Sequence, residues 1–156
     1  MNKFFRLISS IGICILAGVI GSMFTSSSVK TWYPSLIKPA IAPPNFLFPI
    51  VWTGLYILIG ISLFLIWNTE LRTPLKRISI VVFFLQLIVN ILWSALFFAQ
   101  KNIFYAFIAI IVLDILIILN IILFSRISKH ASYLLIPYLL WVLFASVLNY
   151  YFLILN

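Results

Sequence analysis

The sequence predicts an all-α integral membrane protein, a bundle of five transmembrane helices. Three observations carry this. Of the 156 residues, 65% are apolar and only 8% charged, whereas a soluble domain carries about a quarter charged residues. Mean hydropathy is +1.28. The apolar residues also fall into five runs, each near the roughly 20 residues a helix needs to cross a hydrocarbon core about 30 Å thick. The runs lack the alternation of a barrel strand and are too long for one. Their backbone hydrogen bonds must therefore close inside each segment, as in a helix. Disordered, coiled-coil, collagen-like and disulfide-stapled classes are excluded. The single Cys14 excludes an internal disulfide and a Cys-rich metal site, and the single His130 leaves little for histidine chemistry.

The first span, about 7–25, follows Lys3 and Arg6. It is longer than a signal-peptide core and no clean small-x-small cleavage site follows it, so it reads as a retained helix. Ala17, Gly18, Gly21 and Ser22 form two overlapping small-xxx-small pairs. Such pairs let backbones approach, within the bundle or across a dimer.

Loop one, about 26–46, holds Pro34, Pro39, Pro43 and Pro44, and Pro49 opens the next span. Proline fixes φ and restricts its predecessor, so this loop is stiff. It is either an ordered connector across the helix ends or a lid over a cavity. The remaining spans run about 47–67, 78–99, 103–124 and 133–155, joined by short polar links. Neighbouring helices must then be antiparallel, and the chain forms a single domain, 1–156. Pro137 removes a backbone bond early in the fifth span and bends it. Trp67, Tyr105, Tyr150 and Tyr151 lie near span ends, as interfacial anchors do.

The net charge of +8 does not signal nucleic acid, because no basic stripe runs along polar surface. Lys3, Arg6, Arg72, Lys76, Arg77, Arg126 and Lys129 lie on one side of the membrane. Only Lys30, Lys38 and Lys101 lie on the other. For insertion into a bacterial cytoplasmic membrane, the expected location, the positive-inside rule then places the amino terminus in the cytoplasm.

Three spans carry an aromatic-plus-amide stripe. Gln86, Asn90, Trp93 and Phe97 share one helical face, as do Tyr138, Trp141, Ala145 and Asn149, and so do Trp52 and Tyr56. Amides in hydrocarbon are costly without partners, so these faces point inward. One outcome is a filled core with interhelical hydrogen bonds of about 1 kcal/mol or less. The other is an apolar pocket with a few convergent polar groups. In that case the small Ala145 leaves room, and flat aromatic walls suit a flat aromatic guest. Asp114, in the middle of span four, would cost about 2.5–3.5 kcal/mol if charged there. With no other acid or base inside the membrane, it is expected to make an interhelical hydrogen bond rather than join a proton relay.

Conventional catalysis is not supported. Glu70 and Asp114 are far apart in the predicted topology, and there is no triad, metal cluster or Gly-rich phosphate loop. No inverted repeat of broken helices suggests alternating access.

Loop one and the second span read Trp32-Tyr33, Leu36, Lys38-Pro39, Pro43-Pro44, Phe48-Pro49, Val51-Trp52 and Leu55-Tyr56. With Gln86, Asn90, Trp93, Phe97 and Phe98, then Asp114, then Pro137-Tyr138, Trp141, Phe144-Ala145 and Leu148-Asn149, the pattern resembles the TspO/MBR family of tryptophan-rich sensory proteins. That family includes the mitochondrial translocator protein. The resemblance implies a pocket within five helices, covered by loop one, that binds porphyrins and related hydrophobic ligands, and a homodimer in the lipid bilayer. Protoporphyrin IX or haem is the expected ligand, with no obligatory cofactor. Sensing, regulation or transport is the expected role. Light-dependent porphyrin degradation is an alternative, in which Trp52 and Trp141 match the tryptophans involved. A structural membrane partner without a ligand is a further possibility. Tyr33, Gln86, Asn90, Trp93 and Ala145 match pocket positions, and Trp32, Pro43, Pro44, Trp52, Tyr56, Phe97, Tyr138, Trp141 and Asn149 complete the candidate ligand-binding set. His130 lies at the opposite boundary and is not expected to ligate haem. The animal sterol motif is unfinished, since no Arg or Lys follows Tyr150, so cholesterol is not the expected ligand.

Overall fold

The computed structural model describes residues 2–70 and 72–156; Met1, and Leu71 within predicted loop two, lie outside the described residues. Among the described residues, five helical segments are long and apolar enough to cross a membrane: Lys3–Lys30, Leu47–Trp67, Pro74–Ala99, Ile103–Ser125 and Lys129–Leu155. They comprise α1 (Lys3–Lys30), α2 (Leu47–Trp67), α3 (Pro74–Ser94, continued by a π-helical turn Ala95–Ala99), α4 (Ile103–Ser125), α5 (Lys129–Leu134) and α6 (Ile136–Leu155).

Polar residues shift several boundaries from those expected. α1 extends past the predicted 7–25, and hydroxyls at its end bond back onto the helix, which satisfies them in an apolar setting. Thr25 donates to the Gly21 carbonyl (3.1 Å) and Thr31 to that of Ser27 (2.9 Å). Loop one is correspondingly shorter than 26–46. α3 starts at Pro74 rather than near 78: Thr73 caps it, accepting from the Lys76 amide (3.3 Å), and proline suits the first turn. The fifth span starts at Lys129 rather than 133, capped by Ser128, which accepts from the Ala131 amide (3.3 Å). A turn at Leu135 divides it into α5 and α6, at the place where Pro137 lacks a donor. The link after α3 is tight. Lys101 takes a positive φ of 55°, and Asn102 caps α4 by accepting from the Tyr105 amide (3.1 Å).

The helices form a ring. α1 lies between α2 and α3, α4 joins α3 to α6, and α5 returns to α2. Close to α5 the ring is sealed by the Ser62 hydroxyl, which donates to the Ala131 carbonyl (2.7 Å). Farther along, the seam between α2 and α6 is bridged by rings, Phe48 on Trp141 (6.0 Å) and Trp52 on Tyr138 (6.3 Å). The core of the loop-two half of the bundle is packed with Ile59, Leu63, Ile66, Leu113 and Ile117, with Phe83 stacked on Phe124 (5.9 Å, 9°). Asp114 accepts from the Ser146 hydroxyl (2.6 Å) and so ties α4 to α6. The outer surface carries exposed Ile, Leu, Val and Phe on every span, as contact with acyl chains requires.

α1 and α2 approach closely at Gly60. A Cβ there would lie 2.6 Å from the Ile11 Cα, a clash with backbone that no rotamer relieves. Gly60→Ala is expected to push the helices apart at a cost of about 1–3 kcal/mol. A thermal-unfolding midpoint lowered by several degrees in detergent checks this; an unchanged midpoint would refute it.

Candidate functional site

At the loop-one end the ring encloses a cavity of about 470 Å³, walled by α1, α2, α3, α6 and loop one. α2 supplies Phe48, Trp52 and Tyr56. α3 supplies Asn90, Trp93, Phe97 and Phe98. α6 supplies Ala145, Leu148, Asn149 and Phe152. The inner part of the wall from α1 is made of small residues, Gly18, Gly21, Ser22 and Thr25, with Val29 and Lys30 nearer the helix end. A Cβ at Gly18 would meet the Tyr56 ring at 2.6 Å, and one at Gly21 would stand 3.5 Å from the Ser94 Oγ. The glycine face of α1 therefore looks into the bundle, where it seats a tyrosine ring and widens the cavity. It is not free to form a dimer seam.

The polar groups of the wall are largely bonded to one another. Trp93 Nε1 donates to Asn149 Oδ1 (3.0 Å), and Asn149 Nδ2 donates to the Ile103 carbonyl (3.2 Å). Asn90 Nδ2 donates to the Tyr138 hydroxyl (2.9 Å), which donates to Gln86 Oε1 (2.8 Å). These bonds fix the rings and amides and leave a mainly apolar lining. Trp52 stacks on Tyr56 (5.5 Å, 28°), presenting a broad aromatic surface. The exposed lining residues Ser22, Ser26 and Lys30 of α1 and Asn45 and Pro49 before and in α2 mark a mouth between these helices. Lys30 is the only cation among the lining residues.

Loop one covers the end of the cavity. Tyr33, in a short 3₁₀ turn, is buried against Phe152 (5.5 Å) and Phe98 (6.1 Å). The Lys38 ammonium sits 4.8 Å from the Tyr33 ring centroid. Burial raises the Tyr33 phenol above its ordinary pKa, so it stays neutral. Ser28 donates to the Phe98 carbonyl, closing α1 onto α3. Asn156 holds the loop at two points: it accepts from the Ile37 amide (2.9 Å) and donates to the Ile37 carbonyl (3.2 Å).

Of the fourteen sequence-derived candidates, Tyr33, Trp52, Tyr56, Asn90, Trp93, Phe97, Ala145 and Asn149 line this cavity. The other six stand off the wall. Gln86 and Tyr138 are buried beneath the floor, one turn deeper than Asn90 and two turns deeper than Ala145. Trp32 lies behind Phe97, edge-on at 5.6 Å. Pro43 and Pro44 belong to loop turns, such as the one in which the Leu47 amide donates to the Pro44 carbonyl (3.0 Å). Trp141 is screened by Phe48 and packs against Phe144 (5.5 Å). The sequence reading missed the whole α1 wall, because glycine and serine on an apolar helix also signal plain helix packing. It also missed Phe48, Leu148 and Phe152, whose apolar side chains look like ordinary core residues.

Residues 10–155 match the TspO/MBR family. The chain is 41% identical to the tryptophan-rich protein TspO of Chlorobaculum tepidum over 157 aligned residues, covering 100% of this chain and 99% of that one. It is 46% identical to the tryptophan-rich protein TspO of Archaeoglobus fulgidus over 97% of each chain. It is also 30% identical to the translocator protein of Bos taurus, covering 94% of this chain and 84% of the relative. With five membrane-crossing helices and a match over nearly its whole length, the chain belongs to the TspO/MBR family as a multi-pass membrane protein.

Proposed function

We propose that the cavity binds a porphyrin or related tetrapyrrole, protoporphyrin IX above all, and that the protein acts as a sensor, regulator or transporter of that pigment. The observation that carries this reading is the shape and lining of the cavity. About 470 Å³ lies between the aromatic faces of Trp52, Tyr56 and Trp93, and the Trp93 indole N–H is already paired with Asn149. That volume is within the roughly 300–1,000 Å³ of small-molecule sites, and offset stacking on such faces favours a flat, largely apolar ring. Lys30 at the mouth suits the carboxylate edge of the pigment. The protein needs no obligatory cofactor in this reading. It works as a homodimer in a bacterial cytoplasmic membrane with its amino terminus in the cytoplasm, an orientation supported by the bias of Lys and Arg to one side of the bundle.

The test is titration of the purified protein in nanodiscs with protoporphyrin IX. Saturable quenching of tryptophan emission is expected, since Trp52 and Trp93 line the cavity; no quenching would refute the reading. Lys30→Ala is expected to weaken protoporphyrin IX by up to about fivefold, the scale of an exposed ion pair. Its affinity for the dimethyl ester should be unchanged, and equal losses for both pigments would remove the role given to Lys30.

A second reading, light-dependent breakdown of the bound pigment, is favoured by one feature. Trp52 is on the wall, stacked on Tyr56, where an oxidisable indole would touch an excited guest.

A further inference from the structure

A second concavity, of about 670 Å³, lies at the opposite end of the bundle from loop one. It is formed where the start of α1, the end of α2 and the start of α3 meet. Lys3, Arg6, Arg72 and Lys76 line it, with Glu70 as the only acid on its wall. Two of the cations are held in place by neutral oxygens. Lys76 Nζ donates to the carbonyls of Trp67 (3.2 Å) and Thr69 (2.6 Å), and Arg6 Nη1 donates to Asn68 Oδ1 (3.5 Å). Arg6 Nε is buried without a hydrogen-bond partner. Four cations around one hollow, two of them held in place, repel one another, and an unpaired buried guanidinium nitrogen is costly. Both costs fall when an oxyanion enters.

We infer that this hollow is a binding site for a phosphoryl group, carried by an anionic phospholipid. Guanidinium forks match phosphate oxygens, and an ammonium adds a point charge. The lipid source is favoured by the surroundings. Trp67 is on the wall, as suits a headgroup-level position. Phe4, Phe5 and Ile8 next to the cations on α1, and Ile78 after Lys76 on α3, are exposed apolar side chains along which acyl chains can run. The site is separate from the aromatic cavity and does not depend on the ligand proposed for it.

Native mass spectrometry of the full chain, released from detergent holding equal amounts of phosphatidylglycerol and phosphatidylcholine, tests the inference. Phosphatidylglycerol adducts should predominate, and the double variant Arg6→Gln/Arg72→Gln should lower that preference about thirtyfold, as expected for two interfacial cations. Glu70→Gln should raise it. Size-exclusion elution identifies a double variant that fails to fold, and the Glu70→Gln arm then decides alone. Excess inorganic phosphate should leave the lipid adducts in place; displacement would transfer the site to soluble phosphate and overturn the lipid assignment. Equal retention of the two lipids, or no gain with Glu70→Gln, would overturn the site itself.

Discussion

Ala145→Phe is expected to abolish porphyrin binding while leaving the bundle folded. Ala145 is one of the few small side chains on the cavity wall outside α1, and it stands on the same face of α6 as Asn149. A benzyl group added there takes up space that a planar guest needs. The cavity side of α6 is open, so the ring can enter it without displacing a helix. The affinity for protoporphyrin IX should fall about a hundredfold, or about 2.7 kcal/mol. The thermal midpoint should stay near that of the parent. Tryptophan quenching and calorimetry in the same nanodiscs check both parts. Retained affinity would mean that the pigment binds elsewhere, and a collapsed midpoint would mean that the cavity is part of the packing.

The second large effect separates two tryptophans that the family resemblance groups together. Trp52 lines the cavity and lies flat on Tyr56, whereas Trp141 is behind Phe48. If bound protoporphyrin is broken down in light, Trp52→Phe should slow the loss of its Soret band about tenfold, or about 1.4 kcal/mol in the barrier. Trp141→Phe should change it little, because no indole contact with the guest is lost. Binding is measured first on both variants, so that a slower reaction is not confused with a lower occupancy. Equal slowing by the two variants would show that contact does not set the rate. Equal rates in both variants and the parent would exclude indole participation.

Hydropathy recovered five spans because lipid contact requires long apolar runs, and each run is present in the structure. It placed the ends poorly where polar residues remain helical. The Ser and Thr run at the end of α1 and the capped starts at Thr73 and Ser128 are examples. A hydropathy profile reads solvent preference, whereas a hydrogen-bonded hydroxyl or a cap follows backbone geometry. The site shows the same limit. Helical period correctly put Gln86, Asn90, Trp93 and Phe97 on one face, but period carries no information about depth. Gln86 is a turn below Asn90, and there the facing Tyr138 has already filled the space. The glycine wall of α1 was legible only as small residues. Its role depends on Tyr56, a residue of another helix, which no local pattern connects to Gly18.

Asn156 grips Ile37 through both its amide oxygen and its amide nitrogen, so the tail of the last helix and the cap of the cavity move as a unit. A bulky fusion or reporter dye placed after Asn156 would tug on the cap of the cavity it was meant to observe. Labels on the opposite rim, near Arg126, would leave that cap undisturbed.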